Sequence, residues 1–313
     1  MSSDATSKDV SFVLVSWNVR DLVRRALASI YADTTGLDVE ILLVDNASRD
    51  GTVEMVRSEF PGVCVIANAD NRGFTRGNNQ ALAVARGRYF FLLNPDAELV
   101  PGATRTLLDY ADANPGVGVI GPQLFYPDRS VQSSRRRFPT FVTALLESTR
   151  LQQWFPQNRW LTRYYIRDTR DDAVQQVDWV TGAALFVRRE LYDRLGGFDE
   201  AFFMYSEELD WCYRIKQAGW QVVYLPPAQV IHHEGRSSSQ VAAARDIYFH
   251  SSKSRFFRKY HGAFQAALLR VFLLGMFLYQ LLEESAKWLL GHKRPLRASR
   301  VRAYWQVLKS GLE

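Results

Sequence analysis

Three sets of side chains in this 313-residue sequence could do chemistry. The first is a series of acids and amides that follow apolar, β-branched runs: Asp45 after 39–44, Asn71 after 63–67, and Asn94-Pro95-Asp96 at the end of 89–94. Asp96 ends a very apolar run, which is where a hard oxygen ligand would meet Mg²⁺ or Mn²⁺. Asn-Pro-Asp is also a common turn, and the residues alone leave both readings open. The second set is Glu207, Glu208 and Asp210 at the start of an amphipathic stretch, 207–220. Crowded carboxylates raise one another's pKa and can supply a general base. Acids at a helix start also stabilise the macrodipole, an equally ordinary role. The third set is His232-His233 behind a short apolar run. Neighbouring residues on a strand point to opposite faces, so one could serve as a metal ligand while the other stands aside. A plain surface or core histidine remains the competing reading for each.

A diphosphate ligand would need its charge neutralised by a metal, an Arg/Lys cluster or a Gly-rich loop. The loop is missing: after the first apolar run no glycine occurs before Gly36, so neither the dinucleotide fingerprint nor the Walker loop is present. Arg135, Arg136 and Arg137 form a basic stretch that could hold phosphates of donor or acceptor, or could be a solvated loop.

These groups need a frame. Residues 11–17, 39–45, 63–67, 89–94 and 116–120 are apolar runs of strand length. Helical periodicity separates them: Leu22, Val23, Ala26, Leu27 and Ile30 in 19–33, a stretch near 51–60 behind Asp50, one over 74–86, and one opened by Pro101. Alternating strands and helices predict an α/β fold with an open, mostly parallel central sheet flanked by helices. Ligands in such sheets sit beyond the carboxyl ends of the strands, which would gather Asp45, the Asn71 region and Asp96 on one edge. The pattern breaks after Gly121. A helix is expected near 139–152, an aromatic-rich stretch follows, and order resumes over 177–200. A helix over 207–220, a strand at 222–225, a Pro-Pro break and a further segment at 229–235 complete this part.

Bulk properties narrow the function. Hydrophobic residues make up 47% and aromatics 13%, enough for a large folded body. Cys64 and Cys212 lack metal-ligand spacing and suggest a reducing compartment. The polar start, MSSDATSKDV, carries no secretory h-region, so cytoplasmic residence is expected. The net charge of +6 is uneven: residues 245–313 hold 13 Lys and Arg against 4 Asp and Glu. Residues 263–290 are very apolar but interrupted by Arg270 and Gly275, and the unbroken run 271–279 is too short to span a bilayer. Flanking basic residues predict amphipathic C-terminal helices lying on an anionic lipid surface; packing on protein is the alternative. The aromatics there lie in an apolar helix and form no exposed stacking platform, so no nucleic-acid partner is expected.

The ordered set SWN, LLVDNASRDGT, NRGFTRGNNQAL, FFLLNPDAEL, VDWVTGAALFVRRE, GGFDEAFFMYSEELDWCYRIKQAGW and VIHHEG resembles the family 2 inverting glycosyltransferases. Within them it is similar to the bacterial rhamnosyltransferase group that builds cell-wall and O-antigen polysaccharides. The resemblance covers residues 10–260. It implies a GT-A fold with a nucleotide-sugar half, 10–121, and an acceptor half, 122–260, followed by a helical, basic region, 261–313.

By this resemblance Val15, Ser16 and Asn18 line the nucleotide, and Asp45 contacts the base. Arg72, Gly73 and Asn78 lie near base and sugar, while Arg76 reaches the donor or faces water. Asn94 and Asp96 stand where the family has Asp-x-Asp, with one carboxylate fewer. Asp96 and His232, ahead of His233, would hold Mg²⁺ or Mn²⁺. Trp179, Thr181, Gly182 and Asp210 fall on the acceptor side. Glu208 takes the place of the family's catalytic acid, normally Asp, with Glu207 beside it. The implied reaction moves a sugar, L-rhamnose from dTDP-L-rhamnose at family level, to a hydroxyl of a glycan or polyprenyl-linked acceptor with inversion. Peripheral contact with the inner face of the cell membrane is expected; the sequence does not settle the oligomeric state. The rivals are a sugar nucleotidyltransferase, whose Gly-rich signature is missing, and a non-catalytic nucleotide-sugar binding module, which Asp96, Glu207, Glu208 and His232 argue against.

Overall fold

The computed structural model describes residues 8–233, 242–291 and 293–313. Glu234 and Gly235, read as the end of the last apolar segment, and residues 1–7 lie outside the described residues. The chain gathers into two compact units.

The first unit is the α/β body. Strands β1 (Lys8–Ser16), β2 (Val39–Asp45), β3 (Cys64–Ala67) and β4 (Gly87–Leu93) run parallel in the order β3-β2-β1-β4. Every residue of β1 from Val10 onward is buried, whichever face it points to. A strand covered on both sides reads as the unbroken apolar run seen in its sequence. Helices α1 (Arg20–Asp33), α2 (Thr52–Glu59) and α3 (Gly73–Leu82) connect these strands. The predicted stripe of α1 is the observed one: Val23, Ala26, Leu27 and Ile30 are buried. Asp50 serves two helix starts at once, accepting from the amides of Arg20 (2.8 Å) and Thr52 (3.1 Å). Amides in a helix's first turn have no partner within the helix, so this one carboxylate fixes the first turns of α1 and α2 together.

Beyond β4 come β5 (Ala97–Leu99), α4 (Ala103–Ala113), β6 (Val117–Phe125), β7 (Val131–Gln132) and β8 (Arg135–Arg136). The chain then leaves the sheet for three short helices, α5 (Phe141–Leu146), α6 (Arg150–Trp154) and α7 (Arg159–Tyr164). It returns through β9 (Gln175–Val177), β10 (Trp179–Val180), β11 (Ala184–Arg188), α8 (Arg189–Leu195), α9 (Glu207–Gln217) and β12 (Gln221–His232). Strand β11 lies antiparallel between β4 and β6. Strand β12 lies between β6, parallel, and β5, antiparallel.

Two local expectations change. The helix expected over 139–152 is two helices, because Ser148 takes a left-handed conformation (φ 60°) and Thr149 starts the second. The Pro-Pro break does not end a strand: β12 runs through Pro226 and Pro227, and a register shift between Leu225 and Gln229 absorbs the missing amide donors.

The second unit holds residues 139–164, 204–206 and the C-terminal helices α10 (Ala242–His261), α11 (Ala263–Leu289) and α12 (Arg294–Ser310). Its boundary differs from the one expected at 260. The physical reason is apolar packing of α5 and α10 within this unit, as in the edge contact of Phe141 with Phe257. Helix α11 buries Ala266, Leu269, Leu273 and Phe277 on one side. The run 271–279 is part of a longer helix than the sequence suggested: Gly275 continues it, and Arg270 folds its guanidinium onto the Gly311 carbonyl and Glu313. Among the described residues α11 is the one helix long and apolar enough to cross a membrane by length and composition. Glu284, with no exposed surface, is held by Arg297 (2.6 Å) and Arg300 (3.4 Å). His250 packs against Phe277, and burial pushes its ring down to about 3, so it stays neutral.

Candidate active site

The carboxyl ends of β1, β2 and β3 form one polar edge. Ser16 Oγ donates to Asp45 Oδ1 (2.9 Å), and the Ser48 amide donates to Asp45 Oδ2 (2.8 Å). Asn18, at φ 53°, receives the Arg49 amide on its side-chain oxygen. Asn46 donates to the Gly73 carbonyl and accepts from Asn68, which also pairs with Gln80. A pocket of about 500 Å³ opens here, with Arg72, Arg76, Gln80, Glu200 and Phe203 in its wall. Arg72 pairs with Asp70 and Arg76 with Glu200.

Gly73 starts α3 at φ +84°, and a Cβ there would stand 2.7 Å from the Phe203 ring. Only glycine meets both demands. Gly73→Ala is expected to cost about 1–3 kcal/mol from strain and overpacking. It should also weaken nucleotide binding, read by thermal unfolding and nucleotide titration. Unchanged values in both would detach this turn from the edge.

The same edge continues past β4. The Asn94 amide donates to the Ala183 carbonyl (2.9 Å), which fastens the Asn94-Pro95-Asp96 turn to the start of β11. His232 ends β12 with its Nε2 3.3 Å from Asp96 Oδ1 and 3.3 Å from Asn94 Nδ2. Its Nδ1 lies 2.9 Å from Gln132 Oε1. An amide oxygen facing Nδ1 would accept that nitrogen's proton in the Nδ1–H tautomer, which would turn an Nε2 lone pair toward a carboxylate oxygen. Two electron-rich atoms at this separation suit a divalent cation between them. Among the described residues no three His, Cys, Asp or Glu side chains form a ready metal cluster. A two-ligand set fits Mg²⁺-like ions, which take their remaining oxygens from phosphate and water. His233 turns away, as strand alternation requires, and pairs with Glu98 (2.7 Å).

Next to Ala183, the Gly182 amide donates to Glu208 Oε1 (3.3 Å). Among the described residues, Glu208 Oε2 and Glu207 Oε2 are buried and have no hydrogen-bond partner. Burial raises both carboxyls above the usual glutamate range. Backbone amides, among them Gly182's, and the charge of Arg136 oppose the rise at Glu208. The Glu208 charge adds to the rise at Glu207. The two adjacent buried acids therefore resist carrying two charges at once. The turn that delivers the pair is strained: Tyr205 (φ 69°) and Ser206 (φ 65°) are both left-handed without being glycine.

The profile described as Glycosyl transferase family 2 matches residues 11–196. This chain belongs to glycosyl transferase family 2. The enzyme is 32% identical over 274 residues to N-acetylglucosaminyl-diphospho-decaprenol L-rhamnosyltransferase of Mycobacterium tuberculosis, covering 84% of this chain and 88% of that one. It is 25% identical over 242 residues to rhamnosyltransferase WbbL of Escherichia coli, covering 73% and 86%. Among solved structures it matches mannosyltransferase PcManGT from Pyrobaculum calidifontis, in complex with GDP-Man and Mn²⁺. There the TM-score is 0.54 at 17% identity, over 98% of this chain and 88% of that one. It also matches GalNAc-T7 with UDP, GalNAc and Mn²⁺, with a TM-score of 0.55 at 16% identity. That match covers 73% of this chain and 44% of that one. These likenesses show the GT-A fold.

Several expected site residues of this glycosyltransferase also have partners within the protein. Val15 packs against Gly77 of α3. Asn78 is buried and donates to the Phe74 carbonyl, one helical turn back. Trp179 is largely buried and donates from its indole to the Arg137 carbonyl, while Thr181 and Gly182 remain partly open. Asp210 corrects its expected place on the acceptor side: it has no exposed surface and holds Arg214 (2.9 Å), which in turn binds the carbonyls of Leu195 and Gly197.

Arg135 corrects the phosphate reading of the basic stretch. It is buried, pairs with Asp171 (2.7 Å), reaches three carbonyls from Ile166 to Arg170, and lies over the Tyr224 ring. Arg135→Ala is expected to cost ~3 kcal/mol because it strands buried acceptors. Nucleotide affinity at permissive temperature should not change. A normal melting temperature with weakened nucleotide binding would restore the phosphate role. Arg136 instead lies over Tyr165 and Trp179 and acts electrostatically on Glu208. Sequence reasoning missed Gln132, whose two-residue strand carries no signal. It also missed Asn79, which bonds the Phe198 amide and carbonyl across the fold.

Proposed function

We propose that this glycosyltransferase moves L-rhamnose from dTDP-L-rhamnose to a hydroxyl of a polyprenyl-linked glycan, with inversion, in bacterial cell-surface polysaccharide synthesis. The observation that carries the chemistry is the carboxylate of Glu208, held on one oxygen by the Gly182 amide and, among the described residues, without a partner on the other. A buried base with one free lone-pair oxygen can take the acceptor's proton as its oxygen attacks the anomeric carbon. The edge built by Asp45, Asn46 and the Gly73 turn receives the nucleotide, and Asp96 with His232 would hold the divalent ion near the diphosphate. When bound, that ion supplies Lewis-acid stabilisation of the departing diphosphate. The donor and acceptor are supported by the two rhamnosyltransferase relatives, one of them named for a decaprenol diphosphate acceptor. A lipid-linked acceptor also supports contact with the membrane.

The test is incubation of the purified protein with dTDP-L-rhamnose and a polyprenyl-diphospho-N-acetylglucosamine, with the product read by mass spectrometry. A product heavier by one deoxyhexose is expected. No such product, together with transfer from a UDP- or GDP-hexose, would overturn the donor assignment.

A further inference from the structure

The first-unit site leaves one large surface unused. On α11, Phe264, Leu268, Val271, Leu278, Leu282 and Leu289 are all exposed. At 3.6 residues per turn they share about 80° of arc along roughly 37 Å of helix. The opposite side carries the buried Ala266, Leu269, Leu273 and Phe277, so the packing requirement of α11 is already met without the outer row. Beside that row, Trp154 of α6 meets Tyr279 edge-on at 6.1 Å, and both rings are about half exposed. Arg150 ties α6 to Glu283 of α11 (2.9 Å), which fixes the aromatic shoulder in place.

Charge says what covers the row. Arg258 and Lys259, both exposed, precede it, and exposed Lys293 and Arg294 follow it. A second copy pairing along the row, in either direction, would set one cationic end against another. An anionic bilayer meets both ends favourably, and half-exposed Trp and Tyr suit its headgroup level. We infer that α11 lies in the plane of an anionic membrane surface, with the row from Phe264 to Leu289 and the Trp154–Tyr279 shoulder immersed in it.

The same helix resists crossing. Its inner side holds Glu284 against Arg297 and Arg300, and Arg270 on Gly311 and Glu313. Spanning would break both clusters and carry a carboxylate and a guanidinium into hydrocarbon. The surface thus rests on the reading of a lipid-linked acceptor for its purpose, though not for its detection.

The experiment is co-sedimentation of the full-length protein, without donor, with vesicles of equal parts phosphatidylcholine and phosphatidylglycerol, and with phosphatidylcholine alone. Binding to the anionic vesicles is expected, released by high salt or carbonate. Val271→Glu with Leu278→Glu should lower the bound fraction by about tenfold or more while leaving the melting temperature unchanged. Lys293→Glu with Arg294→Glu should weaken binding to anionic vesicles alone. Wild-type protein that stays in the supernatant, a double-Glu variant that binds normally, or binding that resists carbonate would overturn the in-plane surface. A wild-type dimer that the double-Glu variant converts to monomer, with no lipid binding by either, would assign the row to a second copy instead. Because no donor is present, failure of the rhamnosyl transfer assay leaves this outcome untouched.

Discussion

Glu208→Gln is expected to lower turnover by roughly 10²–10⁴-fold while the affinity for donor nucleotide holds, the usual cost of losing a positioned general base. The amide keeps the shape and can still meet the Gly182 amide, but it cannot accept the acceptor's proton. Glu207→Gln separates the two acids, because it should keep most of the activity. Two pH readouts follow from the raised carboxyls. The base form of Glu208 is lost as pH falls through its folded pKa, so the acid limb of turnover should lie above the ordinary glutamate range. Glu207 has a folded pKa above its unfolded value, so its stability contribution is full below the unfolded pKa and is lost as pH rises through the folded one. Glu207→Gln should therefore flatten that decline and melt higher than wild type on the alkaline side. Abolished transfer in Glu207→Gln with activity retained in Glu208→Gln would reverse the assignment.

Asp96→Ala is expected to remove the part of dTDP affinity that depends on Mn²⁺, a loss of at least about tenfold for a ligand that joins metal and diphosphate. His232→Ala should act the same way, because the two side chains face each other at 3.3 Å. Calorimetric titration of dTDP with and without Mn²⁺ measures this directly. If either variant keeps the full metal-dependent gain, the ion sits elsewhere. Gln132→Leu offers a graded version: it frees His232 Nδ1 and should loosen the ring without removing a ligand.

The sequence showed the strand ends well, because an apolar run that stops at Asp45 or Asp96 marks both a buried strand and its polar exit. The α1 stripe was legible for the same reason of period. Identity of the acids came from the ordered resemblance, since Glu207 and Glu208 alone read equally as helix-start charges. Their burial and the bond from Gly182 are visible only in the folded chain. What stayed hidden depends on contacts between distant segments. An arginine reads as a surface cation until Asp171 and Tyr224 close around it, as they do for Arg135. Asp210 reads as one more acid at a helix start until Arg214 claims it. The Pro-Pro pair in β12 reads as a stop because a register shift cannot be seen without the neighbouring strands.

The place of β12 has a consequence for synthesis. Among the described residues it is the last strand in sequence, yet it fills the slot between β6 and β5 and brings His232 to Asp96. A ribosome-bound chain that has reached β11 holds two unpaired sheet borders, those of β6 and β5, facing an empty slot. Unpaired borders invite pairing with other chains, so the growing polypeptide is most vulnerable in the interval before residue 232 emerges. The pairing of His232 with Asp96 and the filling of the slot between β6 and β5 are completed by the same docking event.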